Sequence, residues 1–180
     1  YHIVAWMKRF TEIVCDMYAS KIKKPMKTVV VRPGNLFGPH DKFDWEKSKV
    51  IPALIRRAVE RQDPFVVWGD GMDLKDFLYI DDYIDGMLLA MEKMHEFQPV
   101  NIAFGKGVTI REVLKEILIA ADYQNAPVEY DLSKPTMIPK RMIDISLAKN
   151  LLGWSPKVSI EDGIQRTVDW YIETYSDKTH

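Results

Sequence analysis

The sequence predicts an α/β protein: the C-terminal part of a doubly wound parallel sheet, with a small α/β cap. Three observations carry this. Met26–Val31 is an apolar, β-branched run without alternation, as in a strand buried on both faces. Short strand-like runs then alternate with segments of helical periodicity. Few of those runs are long enough for a parallel sheet, and the short ones cluster after residue 60.

The elements follow in order. Ile3, Val4, Met7, Phe10, Ile13, Val14 and Met17 recur at helical spacing, giving a first helix to about Lys21 that Lys23, Lys24 and Pro25 terminate. After the strand at Met26–Val31, the Gly-, Pro- and Asn-rich stretch Arg32–Asp44 reads as a loop. Val50–Val59 is amphipathic, with Pro52 in the first turn where its missing N–H costs nothing. Phe65–Trp68 is a short strand before the turn Gly69-Asp70-Gly71, and Asp76–Ile80 is another. Asp81 and Asp82 stand at the start of a helix that runs to about Lys93, where carboxylates serve as caps.

Val100–Ala103 reads as a strand, and Thr109 caps a helix to Ala121 with Glu112 at capping-box spacing. Val128–Tyr130 reads as a further short strand. Asp131–Arg141, with Pro135 and Pro139, is a loop, and helices follow at Ser146–Leu152 and Ile160–Tyr175. Trp68, Trp154 and Trp170 read as core or edge packing.

Composition narrows the function. Hydrophobic residues make up 47% of the 180, enough to bury a core. The 25 Lys and Arg against 26 Asp and Glu leave a net charge of −1, which argues against a general nucleic-acid binder but allows a local basic pocket. A single cysteine, Cys15, permits no internal disulfide and no multi-cysteine metal site, so a reducing, cytoplasmic setting is expected. The apolar runs are too short to span a bilayer, and the first residues form no signal peptide. The four histidines show no metal-ligand spacing. No complete glycine-rich dinucleotide loop occurs; Gly105-Lys106-Gly107 reads as a strand-to-helix turn.

The informative segments act in combination. They are Trp6-Met7-Lys8-Arg9, Val31-Arg32-Pro33-Gly34-Asn35-Leu36-Phe37-Gly38-Pro39, Val50-Ile51-Pro52-Ala53-Leu54-Ile55-Arg56-Arg57, Trp68-Gly69-Asp70-Gly71, Lys75-Asp76-Phe77-Leu78-Tyr79-Ile80-Asp81-Asp82 and Leu151-Leu152-Gly153-Trp154-Ser155-Pro156. In this order and spacing they resemble the C-terminal half of an extended short-chain dehydrogenase/reductase, within the NAD-dependent epimerase/dehydratase family that acts on nucleotide sugars. The nearest pattern is that of the GDP-L-fucose synthase branch.

The resemblance implies a Rossmann-type fold in which residues 1–60 are the last part of the dinucleotide-binding domain. Residues 61–180 are then mainly the substrate-binding region, with elements returning to the sheet. The family's N-terminal half, which carries the glycine-rich loop, has no counterpart in these 180 residues, and Tyr1 falls inside the family's catalytic helix. The implied cofactor is NAD or NADP, the implied substrate a nucleotide sugar, and the implied assembly a homodimer through the first helix. No nucleic-acid or membrane partner is expected.

Site residues follow by resemblance. The family chemistry uses a Tyr and a Lys at i and i+4 on one helix face. Lys8 fits that Lys, holding the nicotinamide ribose and favouring a tyrosinate, but four residues earlier stands Val4. Tyr1, about 10 Å from Lys8 along the helix axis, is a distant substitute. Pro33, Asn35 and Leu36 are expected to line the nicotinamide and sugar site. Lys49 and Val50 are expected against the substrate, Lys49 standing where the fucose-synthase branch carries a catalytic His. Arg57, Lys75 and Arg141 are expected to converge on the pyrophosphate, with Lys75 where the family has Arg. His40 is expected to be structural or on the surface. Two functions stay open: the substrate-binding half of an NAD(P)-dependent epimerase, dehydratase or reductase, or a non-catalytic nucleotide-sugar-binding or interaction protein of the same fold.

Overall fold

A computed structural model describes residues 2–134 and 138–175. Tyr1 and Pro135 lie outside the described residues. In chain order the elements are α1 (His2–Ser20), β1 (Val31–Pro33), β2 (Asn35–Phe37), α2 (Val50–Val59), β3 (Phe65–Trp68), β4 (Leu74–Lys75), β5 (Phe77–Tyr79), α3 (Ile80–Lys93), β6 (Val100–Ile102), β7 (Val108–Thr109), α4 (Ile110–Ala120), β8 (Val128–Asp131), β9 (Lys140–Arg141), α5 (Ser146–Leu152) and α6 (Ile160–Tyr175).

Pairing is mostly parallel. β1 lies beside β6, β2 beside β5 and β3 beside β8, with Val31, Asn35 and Phe65 opposite Val100, Phe77 and Val128. β4 pairs antiparallel with β7 and parallel with β9, making a three-stranded cap sheet. The stretch from β1 to β2 changes neighbour at Gly34, whose N–H donates to the Ile102 carbonyl, while the next N–H, of Asn35, donates to the Asp76 carbonyl. A Cβ on Gly34 would stand 3.1 Å from Asp76 Oδ1 and 3.2 Å from the Ala103 Cβ, so a side chain there would make its neighbours give way by a few tenths of an ångström.

β5 divides the core by strand alternation. Phe77 and Tyr79 face a cluster built from α2, α4 and α6, including Ile55, Ile117, Ile164 and Val168. Leu78, between them, faces a second cluster with Val100, Ile102, Ala148, Leu152 and Trp154. The strand is therefore buried on both faces, as a continuous apolar run requires. The capping box forms as expected: Thr109 Oγ1 accepts the Glu112 N–H, and the Glu112 carboxylate accepts the Thr109 N–H.

Several expectations are corrected. Met26–Val30 is not strand, because β6 reaches back only far enough for Val100 N–H to meet the Val30 carbonyl, and a strand needs a neighbour to hydrogen-bond. The stretch read as a loop from Arg32 holds the end of β1 and all of β2. Asp76 lies between β4 and β5, and Ile80 already belongs to α3. The α3 N-cap is Tyr79, without a side-chain cap; Asp82 is buried and instead accepts the N–H groups of Lys157 and Val158 at 3.0 and 2.9 Å, fastening the approach to α6. Trp154 is buried as expected, but Trp68 is 58% exposed. No helix among the described residues is long and apolar enough to cross a membrane.

Candidate functional site

Asn35 opens β2, with only Gly34 between it and the C-terminal end of β1, and an open α/β sheet presents such strand ends to ligands. Its side-chain amide donates to the Asp76 carbonyl at 2.8 Å, and its backbone N–H donates to the same oxygen. Two bonds from one residue to one acceptor fix the direction of the amide. Beside it opens a cavity of about 140 Å³, walled by Leu36, Phe37 and Phe77 from β2 and β5.

α2 begins at the same cavity. Lys49, Val50, Ile51 and Pro52 all line it. Lys49 is the N-cap in extended conformation and makes no side-chain cap. The first N–H groups of a helix have no intrahelical acceptor, and the helix dipole adds positive potential there. Lys75, from β4, closes another side. Two lysines, an amide and a helix N-terminus around an apolar wall make a site suited to an anionic ligand with an apolar or neutral body.

Of the sequence-predicted residues, the structure brings Asn35, Leu36, Lys49, Val50 and Lys75 to this cavity. Arg141 stands opposite Lys75 in register on β9 and is exposed. Arg57 does not line the cavity; half-buried, it donates Nη1 to the Val66 carbonyl at 2.5 Å, and burial without a carboxylate partner pulls its pKa down. Pro33 ends β1 and is exposed. Lys8 is exposed on α1. His40 is exposed with its ring 4.8 Å from that of Trp170, which fits a structural role.

Three aspartates escaped the sequence reading. Asp76 is fully buried; its carboxylate accepts the N–H groups of Phe104 and Gly105, both at 2.9 Å, while its own carbonyl holds Asn35. Burial pushes its pKa up, opposed by backbone N–H bonds from Phe104, Gly105 and Ile143 and by the nearby Arg141 charge. A carboxylate heading the apolar run Phe77-Leu78-Tyr79 was the available signal. Asp41 and Asp73 pair with Lys49 and Lys75 at 3.7 and 3.0 Å; the i, i+2 spacing of Asp73 and Lys75 was the available signal for the second pair, and nothing local marks the first. No group of three or more metal-ligating side chains occurs among the described residues.

Comparison with known proteins agrees with this architecture. The family model described as "NAD dependent epimerase/dehydratase family" matches residues 5–103. GDP-L-fucose synthase 1 of Arabidopsis thaliana is 36% identical over 163 residues, covering 88% of this chain and 49% of that protein. GDP-L-fucose synthase of Escherichia coli K12 is 34% identical over 173 residues, covering 89% and 53%. The crystal structure of UDP-glucose 4-epimerase from Thermotoga maritima, with UDP-glucose, superposes with a TM-score of 0.82 at 32% identity, covering 93% of this chain and 52% of that one. A UDP-glucuronic acid 4-epimerase from Bacillus cereus, solved with NAD, gives 0.77 at 26% identity, covering 94% and 50%. The chain thus spans about half the length of these relatives. By the matched model, the identities and the shared fold, it belongs to the NAD-dependent epimerase/dehydratase family.

Proposed function

We propose that this chain supplies the substrate-binding half of an NAD(P)-dependent nucleotide-sugar epimerase, dehydratase or reductase working in the cytoplasm, with residues 61–180 mainly forming the substrate region. The observation that carries the reading is the single cavity at which Asn35, Lys49, Lys75 and the start of α2 meet. A pyrophosphate needs cationic donors, and Lys49, Lys75 and the adjacent Arg141 supply them. The apolar wall of Leu36 and Phe37 suits the body of a sugar ring.

The residues present fit one end of a nicotinamide cofactor. Lys8 on α1 would hold the nicotinamide ribose, and Pro33, Asn35 and Leu36 would border the ring. No described turn offers the glycine-rich cradle that the phosphates need. The cofactor, when bound, accepts or returns a hydride. This chain's residues orient the sugar through Asn35 and neutralise the phosphates through the lysines. α1 exposes Trp6, Met7, Phe10 and Ile13, and we assign that face to a homodimer.

A second reading has a specific basis. Val4, 53% exposed, stands where the family carries its Tyr, and a valine holds no proton. A binding protein that turns nothing over has the same cavity.

The test is the melting temperature of the chain with GDP- and UDP-sugars. A ligand at a hundredfold over Kd adds about 2.7 kcal/mol of stability, an easily read shift. No shift with any nucleotide sugar at millimolar concentration would defeat both readings, whereas turnover by the complete protein separates the first from the second.

A further inference from the structure

We propose that Asp41 and Asp73 set the anion affinity of the cavity, each holding one of its two lysines in an ion pair that an incoming phosphate group must displace. This rests on reading the cavity as the nucleotide-sugar site. Lys49 Nζ lies 3.7 Å from Asp41 Oδ1, and Lys75 Nζ lies 3.0 Å from Asp73 Oδ2. Lys75 also donates to the Ile138 carbonyl, just before β9, so its ammonium is held between that segment and Asp73 while the side chain lines the cavity.

The two carboxylates come from different parts of the chain. Asp41 belongs to the segment between β2 and α2, and Asp73 to the turn before β4. Both carboxylates are largely shielded, each side chain 16% exposed, but Lys49 is 66% exposed against 17% for Lys75, so water screens the Asp41 pair more than the Asp73 pair. Asp41 Oδ1 is shared between Lys49 and the Lys42 N–H, while its Oδ2 is buried with no hydrogen-bond partner among the described residues. A carboxylate that is half unsatisfied keeps a strong field on the nearest cation. Each ammonium at the cavity is therefore matched by a carboxylate just outside the lining, with Arg141 the further cation beside Lys75. A diphosphate entering the cavity gains the lysines only by breaking both pairs, and it meets the repulsion of both aspartates. Such an arrangement lowers affinity for bare phosphates and favours ligands whose sugar and base add contacts elsewhere, a specificity device built from repulsion.

The experiment is calorimetric titration of the 180-residue chain at low salt with two probes, inorganic pyrophosphate and GDP. Asp41→Asn and Asp73→Asn keep shape and remove charge. Each is expected to tighten binding of both probes about two- to fivefold, the scale of one exposed to half-buried ion pair, and the double variant about tenfold if the sites are independent. Lys49→Met added to Asp41→Asn, or Lys75→Met added to Asp73→Asn, should abolish the gain. Asp85→Asn is the control for bulk charge, since Asp85 sits on α3 paired with Lys157 at 3.4 Å; it should change nothing. Affinity that stays the same or weakens in both Asn variants overturns the proposal, and so does an equal gain from Asp85→Asn. The single variants are read separately, so loss of fold in one leaves the other to decide. If the unaltered chain binds neither probe but the double variant binds pyrophosphate, the proposal stands and the nucleotide-sugar reading falls. If the unaltered chain binds GDP and no Asn variant binds it more tightly, the proposal alone falls. Absence of binding in every form defeats both.

Discussion

Arg32 grips Glu12 with two hydrogen bonds, Nε to Oε1 at 2.6 Å and Nη2 to Oε2 at 2.7 Å. The fork ties α1 to β1 one residue before Pro33, and Arg9 adds a third bond to the same carboxylate at 2.9 Å. Lys8 lies one helical turn ahead of Glu12, about 6 Å along the axis. The pair therefore sets the height of Lys8 relative to β1, whose end leads through Gly34 into Asn35. None of α1 is buried, so the helix depends on a few such ties.

The Arg32 fork holds the Glu12 pKa down at about 2, from an ordinary 4.5. A carboxylate with a depressed folded-state pKa contributes stability that is complete above 4.5 and is lost as pH falls from 4.5 toward 2. Arg32 is 47% exposed, so solvent screening limits the contribution, to about 1 kcal/mol. Urea unfolding should show Glu12→Gln less stable by that amount at pH 7, with the gap to the parent chain shrinking at pH 3. A gap that stays constant or widens on acidification would contradict this assignment.

Asp76→Asn should be among the most damaging substitutions outside the apolar core. The new amide would turn an NH₂ toward the N–H of Phe104 or Gly105, leaving a buried donor unpaired. Such a change costs about 1–3 kcal/mol. Because the Asp76 carbonyl also orients Asn35, nucleotide-sugar affinity should fall along with the melting temperature. Unfolding curves superimposable on those of the parent chain would count against the network.

Gly34→Ala tests the change of strand neighbour independently. Its Cβ would meet Asp76 Oδ1 at 3.1 Å and the Ala103 Cβ at 3.2 Å, so β1 or the Ala103 segment must give way. A loss of about 1–3 kcal/mol follows from overpacking. Thermal unfolding measures it, and an unchanged midpoint would mean that the close approach relaxes freely.

Thr109→Ala removes the capping box at the head of α4. The expected loss is about 1 kcal/mol, while Thr109→Ser should retain most of the stability because it keeps the acceptor for the Glu112 N–H. Equal melting temperatures for the Ala and Ser variants would refute the role of the cap.

The isolated chain should bind NAD and NADP weakly. The cofactor's phosphates need a glycine-rich turn at a helix start, and these 180 residues contain none. Calorimetry should give no better than millimolar affinity for either dinucleotide. Micromolar binding would mean that another part of this chain cradles the phosphates.

Local signals in the sequence determined α2, α4, α5 and α6, whose ends rest on periodicity, on Pro52 in the first turn and on the Thr109–Glu112 box, all interactions within a few residues. The ordered motifs from Lys8 to Trp154 determined the family, and they singled out Asn35, Lys49, Val50 and Lys75, which the fold brings to one cavity. Tertiary structure alone decided the rest. Whether Met26–Val30 becomes strand depends on a neighbour's length, and whether Asp82 caps its own helix depends on where residues 157 and 158 pass. Arg57 matches its motif yet serves the Val66 carbonyl, and the Asp41–Lys49 pair depends on how the segment between β2 and α2 folds back on the helix start. Periodicity and caps are local and survive in the unfolded chain's sequence; ladder partners, buried charges and ion pairs are set by contacts between segments, which no short stretch of sequence contains.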